Sequence, residues 1–352
     1  MSRRERWVTE VICAFVVGLN AETIAMAQTP PHAVSFAPNE SWTSGPYYGS
    51  MGTFFADVDG DGRSDAIALN PSTVTVRRSN GTSFSRSEDW THGPYSGTRG
   101  TFFADVTGDH WADAIVVNDD TVTVRRAGAD CFIGCWNYGF RANEDWTSGP
   151  YYGSTLTTFA DVTGDGRADA VVINGSIVTV RRSDGQRFLA NETWATGFTP
   201  GEVGTYFFDV DYDGSADLIA VNRGSIIVRA SSGSAFGPAT DWTGNAWFPA
   251  QTPGLMDVAF AQFYWFGGSS AMIYVSNQTV NVFPTINAAG QSRYAGAVST
   301  STPFVAFGSP LDFTGGPYYG TLGTFFADVD GDGSADAIVV NTNNVTVRPA
   351  RP

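Results

Sequence analysis

After residue 33 the chain alternates short apolar strings with breaks rich in glycine, aspartate and asparagine. Strings of the form T-F-F-A-D-V read as short aromatic strands. A-D-A-I-V-V-N is a near-continuous apolar run, which predicts a strand buried on both faces. T-V-T-V-R-R alternates and begins after an asparagine turn, at Asn70, Asn118, Asn174 and Asn341. That pattern predicts a half-buried strand. The segment through a recurring F-x5-W pair supplies a fourth.

These strings form one unit copied six times. The aspartate of F-A-D-V falls at Asp57, Asp105, Asp161, Asp209 and Asp328, with a decayed L-M-D-V copy at Asp257, giving gaps of 48, 56, 48, 48 and 71 residues. The F-x5-W pair checks the register: Phe36/Trp42, Phe84/Trp90, Phe140/Trp146, Phe188/Trp194, Phe236/Trp242 and, in decayed form, Phe307/Phe313. Insertions near 127–139, in the fifth aspartate loop and near 285–306 account for the long gaps. Four strands per 40–50 residues is the signature of a propeller blade. The expectation is an all-β propeller of six four-stranded blades. The last unit lacks its F-x5-W strand and the chain begins with one. Pairing of the N- and C-terminal strands therefore closes the ring and leaves no edge. An open solenoid, or a seventh blade built from the insertions, are the alternatives.

The N-terminus reads differently. Arg3, Arg4 and Arg6 precede the apolar run Val11–Leu19, and Ala25-Met26-Ala27 supplies a small-x-small cleavage signature. Residues 1–27 are expected to be a signal peptide and 28–352 a single domain, secreted to the periplasm or beyond. No other segment is apolar enough to span a membrane. Outside the cytoplasm, Cys131 and Cys135 are expected to form a local disulfide, with free thiols as the alternative. The formal net charge of -15 argues against a nucleic-acid partner. Three histidines leave little room for a histidine-based hydrolase or a zinc site.

The strongest chemical signal is a nine-residue loop between the first two strands of each unit. Asp57, Asp59, Asp61 and Asp65 occupy positions 1, 3, 5 and 9, and the backbone carbonyl of Arg63 at position 7 adds another oxygen. The fourth unit repeats this with Asp209, Asp211, Asp213, Ser215 and Asp217, and the sixth with Asp328, Asp330, Asp332, Ser334 and Asp336. Two copies carry threonine at position 3: Asp105, Thr107, Asp109, Trp111 and Asp113, then Asp161, Thr163, Asp165, Arg167 and Asp169. Oxygen-only ligands and turn glycines suit Ca²⁺, at up to five sites with a mainly structural role. An EF-hand is excluded, since no bidentate glutamate stands at position 12 and both flanks are strands. Asp-Gly hairpin turns without metal are the alternative. His110 replaces a turn glycine in the second loop, and the fifth unit is expected to be empty.

The D-x-[DT]-x-D-G-x-x-D loops inside F-A-D-V…A-D-A-I-V-V-N units resemble the FG-GAP or VCBS repeats of integrin α-subunit propellers, over nearly all of residues 33–352. That resemblance implies a calcium-binding propeller. It says less about activity, because the fold hosts adhesion proteins, lectins and some polysaccharide lyases. The six-unit count departs from the seven blades usual in the family.

A second motif, W-T-x-G-P-Y-Y-G, joins each blade to the next, on the face opposite the aspartate loops. It places Trp42, Tyr47 and Tyr48, then Trp90 and Tyr95, then Trp146, Tyr151 and Tyr152, and finally Tyr318 and Tyr319 between blades. Aromatic faces with polar tips suit sugars, and the unit is similar to those of propeller lectins that hold sugars between blades. The alternative is that these aromatics are packing, reused at every period. The fourth and fifth units have lost G-P-Y-Y and, as binding sites, would be dead. The arginine pairs 77/78, 125/126 and 181/182 are expected to meet surface acids such as Glu88, Asp89, Glu144 and Asp145. No nucleophile–histidine–acid set is legible. The expected function is glycan binding, with protein-mediated adhesion or matrix assembly as the alternative. A calcium-dependent lyase using Arg293 and Tyr294 comes third.

Overall fold

The computed structural model describes residues 35–131, 135–243, 254–263, 269–287 and 304–351. The expected signal peptide lies outside these, as do Arg293 and Tyr294. Every regular element among the described residues is a strand.

Six sheets follow one another as blades. Blade 1 comprises Gly52–Ala56, Asp65–Leu69, Val74–Arg77 and Glu88–Asp89, in that order across the sheet. Blade 2 (Gly100–Ala104 to Glu144–Asp145), blade 3 (Leu156–Ala160 to Glu192–Ala195) and blade 4 (Gly204–Phe208 to Thr240–Asp241) repeat it. Blade 6 takes Gly323–Ala327, Asp336–Val340 and Val345–Arg348 from the end of the chain and Glu40–Ser41 from its beginning. Glu40 pairs with Val347 there, and Phe36 pairs with Ala350 beside it. The N-terminal strand thus completes the last blade.

Blade 5 corrects the sequence register. Its first strand, Leu255–Phe263, is nine residues long, and Asp257 lies inside it opposite Val275. Asp257 is therefore not the start of an aspartate loop. The equivalent place falls to Gln262, whose carbonyl accepts from Ala335 N–H as Asp57 does from Ala112. The insertion near 285–306 extends the third strand, Val280–Asn287, which pairs with both Phe304–Phe307 and Leu311–Asp312. The 127–139 insertion is a hairpin of Ala127–Cys131 with Cys135–Phe140. Cys131 and Cys135 are backbone partners in it; their side chains lie outside the described residues.

The second strand of blades 1, 2, 4 and 6 is buried along its length, as its unbroken apolar run requires. The core is divided into six clusters, each between consecutive blades, and one of them packs blade 6 on blade 1 through Phe55, Ile338 and Val340. The F-x5-W pair explains this division. Trp42 of blade 6 meets Phe84 of blade 1 edge to face at 5.1 Å, and Trp42 C=O accepts from Phe84 N–H. Trp90–Phe140, Trp146–Phe188, Trp194–Phe236 and Trp242–Phe307 repeat the arrangement, and Phe313–Phe36 joins blade 5 to blade 6. Each pair combines large apolar burial with the favoured aromatic geometry.

The blade-to-blade loops and the asparagine turns share one end of the blades. Ser50, Thr98, Ser154, Glu202 and Thr321 N–H groups donate to Asn70, Asn118, Asn174, Asn222 and Asn341 Oδ1. The aspartate loops, one strand away, occupy the opposite end. Gly49 has no alternative here, because a Cβ would sit 2.1 Å from Gly52 O.

Trp146→Ala should cost about 3–5 kcal/mol of unfolding free energy, the range for a buried large-to-small aromatic change. Trp146→Phe should cost clearly less, because Phe313 fills the same place in blade 5. Denaturant unfolding of both variants checks this; equal losses would mean that the slot does not accept phenylalanine.

Candidate metal loops and inter-blade aromatic sites

In each aspartate loop the position-1 carboxylate organises the turn. Asp57 Oδ1 accepts from Gly60 N–H at 2.7 Å and Oδ2 from Gly62 N–H at 2.8 Å. Asp105, Asp161, Asp209 and Asp328 do the same for their own loops. This wrapping places positions 4 and 6 in the left-handed region, which is why both are usually glycine. His110 still adopts the turn, at φ 71°, and Tyr212 stands at φ 66° in place of a glycine at position 4. The sequence left the second loop's geometry open; the backbone keeps it at the expense of local strain.

Position 9 has a part that spacing alone did not reveal. Asp65 is fully buried, with one oxygen accepting from Val58 N–H and the other from Ser79 N–H. Asp113, Asp217 and Asp336 bind in the same way, and Asp169 accepts from Ser183. This aspartate ties its loop to the exit of the third strand.

Three loops gather carboxylates closely enough for one cation. Oxygens of Asp57, Asp59 and Asp61, of Asp209, Asp211 and Asp217, and of Asp328, Asp330 and Asp332 lie within 4.8 Å of one another. The loops at Asp105 and Asp161 form no such triad among the described residues. Their position-3 hydroxyls, Thr107 and Thr163, turn back to the position-1 carboxylate. The remaining position-5 and position-7 residues fall into local contacts. Asp61 pairs with Arg63, and Asp165 with Arg167. Trp111, Ser215 and Ser334 N–H groups donate to Asp109, Asp213 and Asp332.

Electrostatics favour a cation. Burial is the main cause that lifts Asp57 and Asp328 to about 6, Asp209 to about 7 and Asp217 and Asp336 to about 8, and neighbouring aspartates add to it. Asp59 Oδ1 and Asp211 Oδ1 are buried with no hydrogen-bond partner. Buried carboxylates need charge compensation or a proton. Arginines supply part of it in two loops, Arg78 at 3.4 Å from Asp59 and Arg351 at 3.0 Å from Asp330. Among the described residues the fourth loop forms no ion pair, so its need for a cation is greatest. The oxygen-only donor set fits a hard cation.

The aromatic motif divides in two. Trp42, Trp90 and Trp146 are fully buried, and their indole N–H groups donate to Glu40, Glu88 and Glu144. Tyr47, Tyr95, Tyr151 and Tyr318 are buried too. Tyr47 Oη lies 2.8 Å from Thr75 O and 3.2 Å from Ala66 O, and the others repeat these partners. Burial pushes all four phenols up to about 12. Arg77, Arg125, Arg181 and Arg348 lie over these rings at 4.3–4.5 Å. The sugar-facing role expected of these seven side chains does not fit this geometry: the rings are covered and the hydroxyls are engaged within the blade.

The second tyrosine behaves differently. Tyr48 is 41% exposed and Tyr319 42%, and Tyr152 is half-buried under Arg99 at 4.4 Å. Arg99 in turn pairs with Asp119 at 2.6 Å, a cluster the repeat pattern did not reveal because only the second unit carries an arginine there. The second arginine of each pair meets an acid as expected: Arg78 with Glu88, Arg126 with Glu144, Arg182 with Glu192.

Two outcomes follow from the loops. An aspartate with a raised folded-state pKa binds more protons folded than unfolded, so it loses stability as pH rises from about 4 through that pKa. The chelated protein should therefore melt at progressively lower temperature from pH 5 to pH 8, and saturating divalent cation should flatten that slope. A slope unchanged by the cation would remove the loops as its site. Separately, His110→Gly should stabilise by about 1 kcal/mol, the cost of a left-handed non-glycine residue, read in the same melts.

The comparisons with known proteins agree with this architecture. Residues 57–116 match the FG-GAP-like repeat family model. No curated protein sequence matches the chain. A Photorhabdus luminescens Tc holotoxin pore structure superposes with a TM-score of 0.58 at 15% identity, over 91% of this chain but only 15% of the toxin chain. An Agrocybe aegerita lectin, described as recognising non-reducing terminal N-acetylglucosamine, superposes with a TM-score of 0.54 at 21% identity, over 81% of this chain and 73% of the lectin. At these identities the likeness concerns the fold. The blade count makes this chain a six-bladed β-propeller, and its residues 57–116 match an FG-GAP-like repeat.

Proposed function

We propose that the protein is an exported, calcium-loaded propeller that binds glycans on the face carrying the blade-to-blade loops. The observation that carries this reading is the split within the Y-Y pair. One tyrosine is buried in every copy, while its neighbour stays at the surface at Tyr48 and Tyr319 and half-covered at Tyr152. A rigid loop holding an aromatic ring at the surface is a suitable platform for the C–H face of a sugar. Repetition around the ring multiplies weak sites into useful avidity. The lectin with the same fold adds support and suggests terminal N-acetylglucosamine as the first sugar to try.

Calcium is the cation that best suits the loops. Three carboxylates gathered on one hairpin match its preference for many oxygen ligands from the protein, whereas Mg²⁺ prefers fewer protein ligands and more water. Its role here is structural, since the loops lie at the opposite end of the blades from the tyrosines. Binding to the folded state alone stabilises it. The reading is a binding protein and not an enzyme.

A glycan array probed with the protein in calcium tests this. Binding should be lost in the combined variant Tyr48→Ala, Tyr152→Ala, Tyr319→Ala with little change in melting temperature. Tyr47→Phe should do the reverse, lowering stability while leaving binding in place. Folded protein that binds no glycan would sink the sugar reading and turn attention to a protein partner.

A further inference from the structure

We infer that a cleft between blades 3 and 4 is a separate site for an acidic sugar, with Arg229 anchoring its carboxylate. The argument starts from a break in the repeat. In blades 1, 2, 3 and 6 the arginine ending the third strand lies over a buried tyrosine. Blade 4 has Thr199 at the tyrosine position, and it is exposed. The buried aromatic there is Phe198, in one cluster with Leu218 and Ala220. Among the described residues Arg229 lies over no tyrosine. Its guanidinium keeps two long contacts, to Gly237 O at 3.4 Å and to Gly197 O at 3.5 Å.

The neighbouring ion pair is missing as well. Ala230 stands where blades 1 to 3 have Arg78, Arg126 and Arg182, and Thr240 stands where they have Glu88, Glu144 and Glu192. Arg229 forms no ion pair among the described residues. Glu192, beside the cleft, is engaged by Arg182 at 2.6 Å and by the Trp194 indole at 3.1 Å. Among the described residues its equivalents Arg77, Arg125, Arg181 and Arg348 form no ion pair either, so what sets Arg229 apart is the missing ring.

At this place an open cleft of about 370 Å³ is lined by Thr193, Ala195, Thr196, Arg229, Gly237 and Pro238, among others. That volume lies within the roughly 300–1,000 Å³ range of small-ligand sites. The lining fits a hexuronate. A guanidinium takes a carboxylate through two parallel N–H donors. Thr193 and Thr196 offer hydroxyls to the ring hydroxyls, and Ala195 and Pro238 offer apolar surface to its C–H face. In the symmetric reading loss of the tyrosine only removes a site; here it also leaves the Arg229 guanidinium without the ring that covers one face of its equivalents.

This site does not depend on the tyrosine loops, and the experiment keeps the two apart. Glucuronate, glucose and acetate are titrated onto the purified protein in calcium, by calorimetry and saturation-transfer NMR. Glucuronate should bind at least about tenfold more tightly than glucose, the scale of a hydrogen-bonded charge. Arg229→Gln should weaken it by a similar factor. So should Thr196→Asp, an exposed position where an acid repels the ligand without disturbing the core. The triple tyrosine variant should leave glucuronate binding unchanged. Absence of glucuronate binding, equal binding of glucose, or wild-type affinity in Thr196→Asp would each overturn the proposal. Acetate binding as tightly as glucuronate would overturn its sugar half.

Discussion

Each aspartate loop is built around a buried or half-buried carboxylate that is satisfied by its own backbone. Asp57 draws in the N–H groups of residues 60 and 62, and this closes the hairpin. The same closure aims the loop at its neighbour. Ala112 N–H donates to Asp57 O, Ala168 to Asp105 O, Ala216 to Asp161 O and Ser64 to Asp328 O, each near 2.7 Å. In blade 5, where the aspartate is absent, Ser270 Oγ reaches Asp209 O instead, and Ala335 N–H reaches Gln262 O. A turn set by one carboxylate thus becomes the contact between blades. A cation held at one loop would act on a link shared with the next.

The opposite sides of the blades use the aromatic pairs for the same purpose. A repeat cannot bury its own large faces, so every unit spends its tryptophan or phenylalanine on the adjoining one. This explains why the F-x5-W spacing survives in all six units although the loops vary. Packing demands a large ring at that place, and the Phe313–Phe36 pair meets the demand without tryptophan. Function makes no such uniform demand. The G-P-Y-Y loop could decay in unit 4 once Phe198 supplied a buried ring in its stead.

Much of this was legible in the sequence, because strand period and repeat phase are properties of the chain itself. The six blades, the N-terminal strand completing the last one and the aspartate spacing all follow from F-F-A-D-V, A-D-A-I-V-V-N and F-x5-W. What was not legible depends on direction. Tyr47 and Tyr48 are adjacent and chemically identical, yet only the backbone decides which one turns inward to Thr75 O and which faces water. Position 9 looked like a ligand by type; Asp65 also holds two backbone N–H groups, and Asp217 does the same while lying in the fourth loop's carboxylate triad. Asp257 misled by resemblance: L-M-D-V matches the motif, but the longer strands of blade 5 move the loop to Gln262.

Symmetry also governs where specificity can arise. A residue repeated in every unit is first explained by packing, and the arginines over the buried tyrosines are of that kind. Their guanidinium groups are covered on one face and serve the blade. A change confined to one unit carries no such burden. In blade 4 the tyrosine, the second arginine and its glutamate are replaced together, at positions brought into proximity only by the fold. Loss of packing alone would be expected to select a substitute for the arginine too, since a half-buried guanidinium without a stacking partner or an acid is a cost with no return. Arg229 has been kept while the ring that covers its equivalents has gone, and its guanidinium lines a cleft open to solvent. The physical consequence is a localised positive charge in an otherwise acidic protein, directed at a cleft of ligand size.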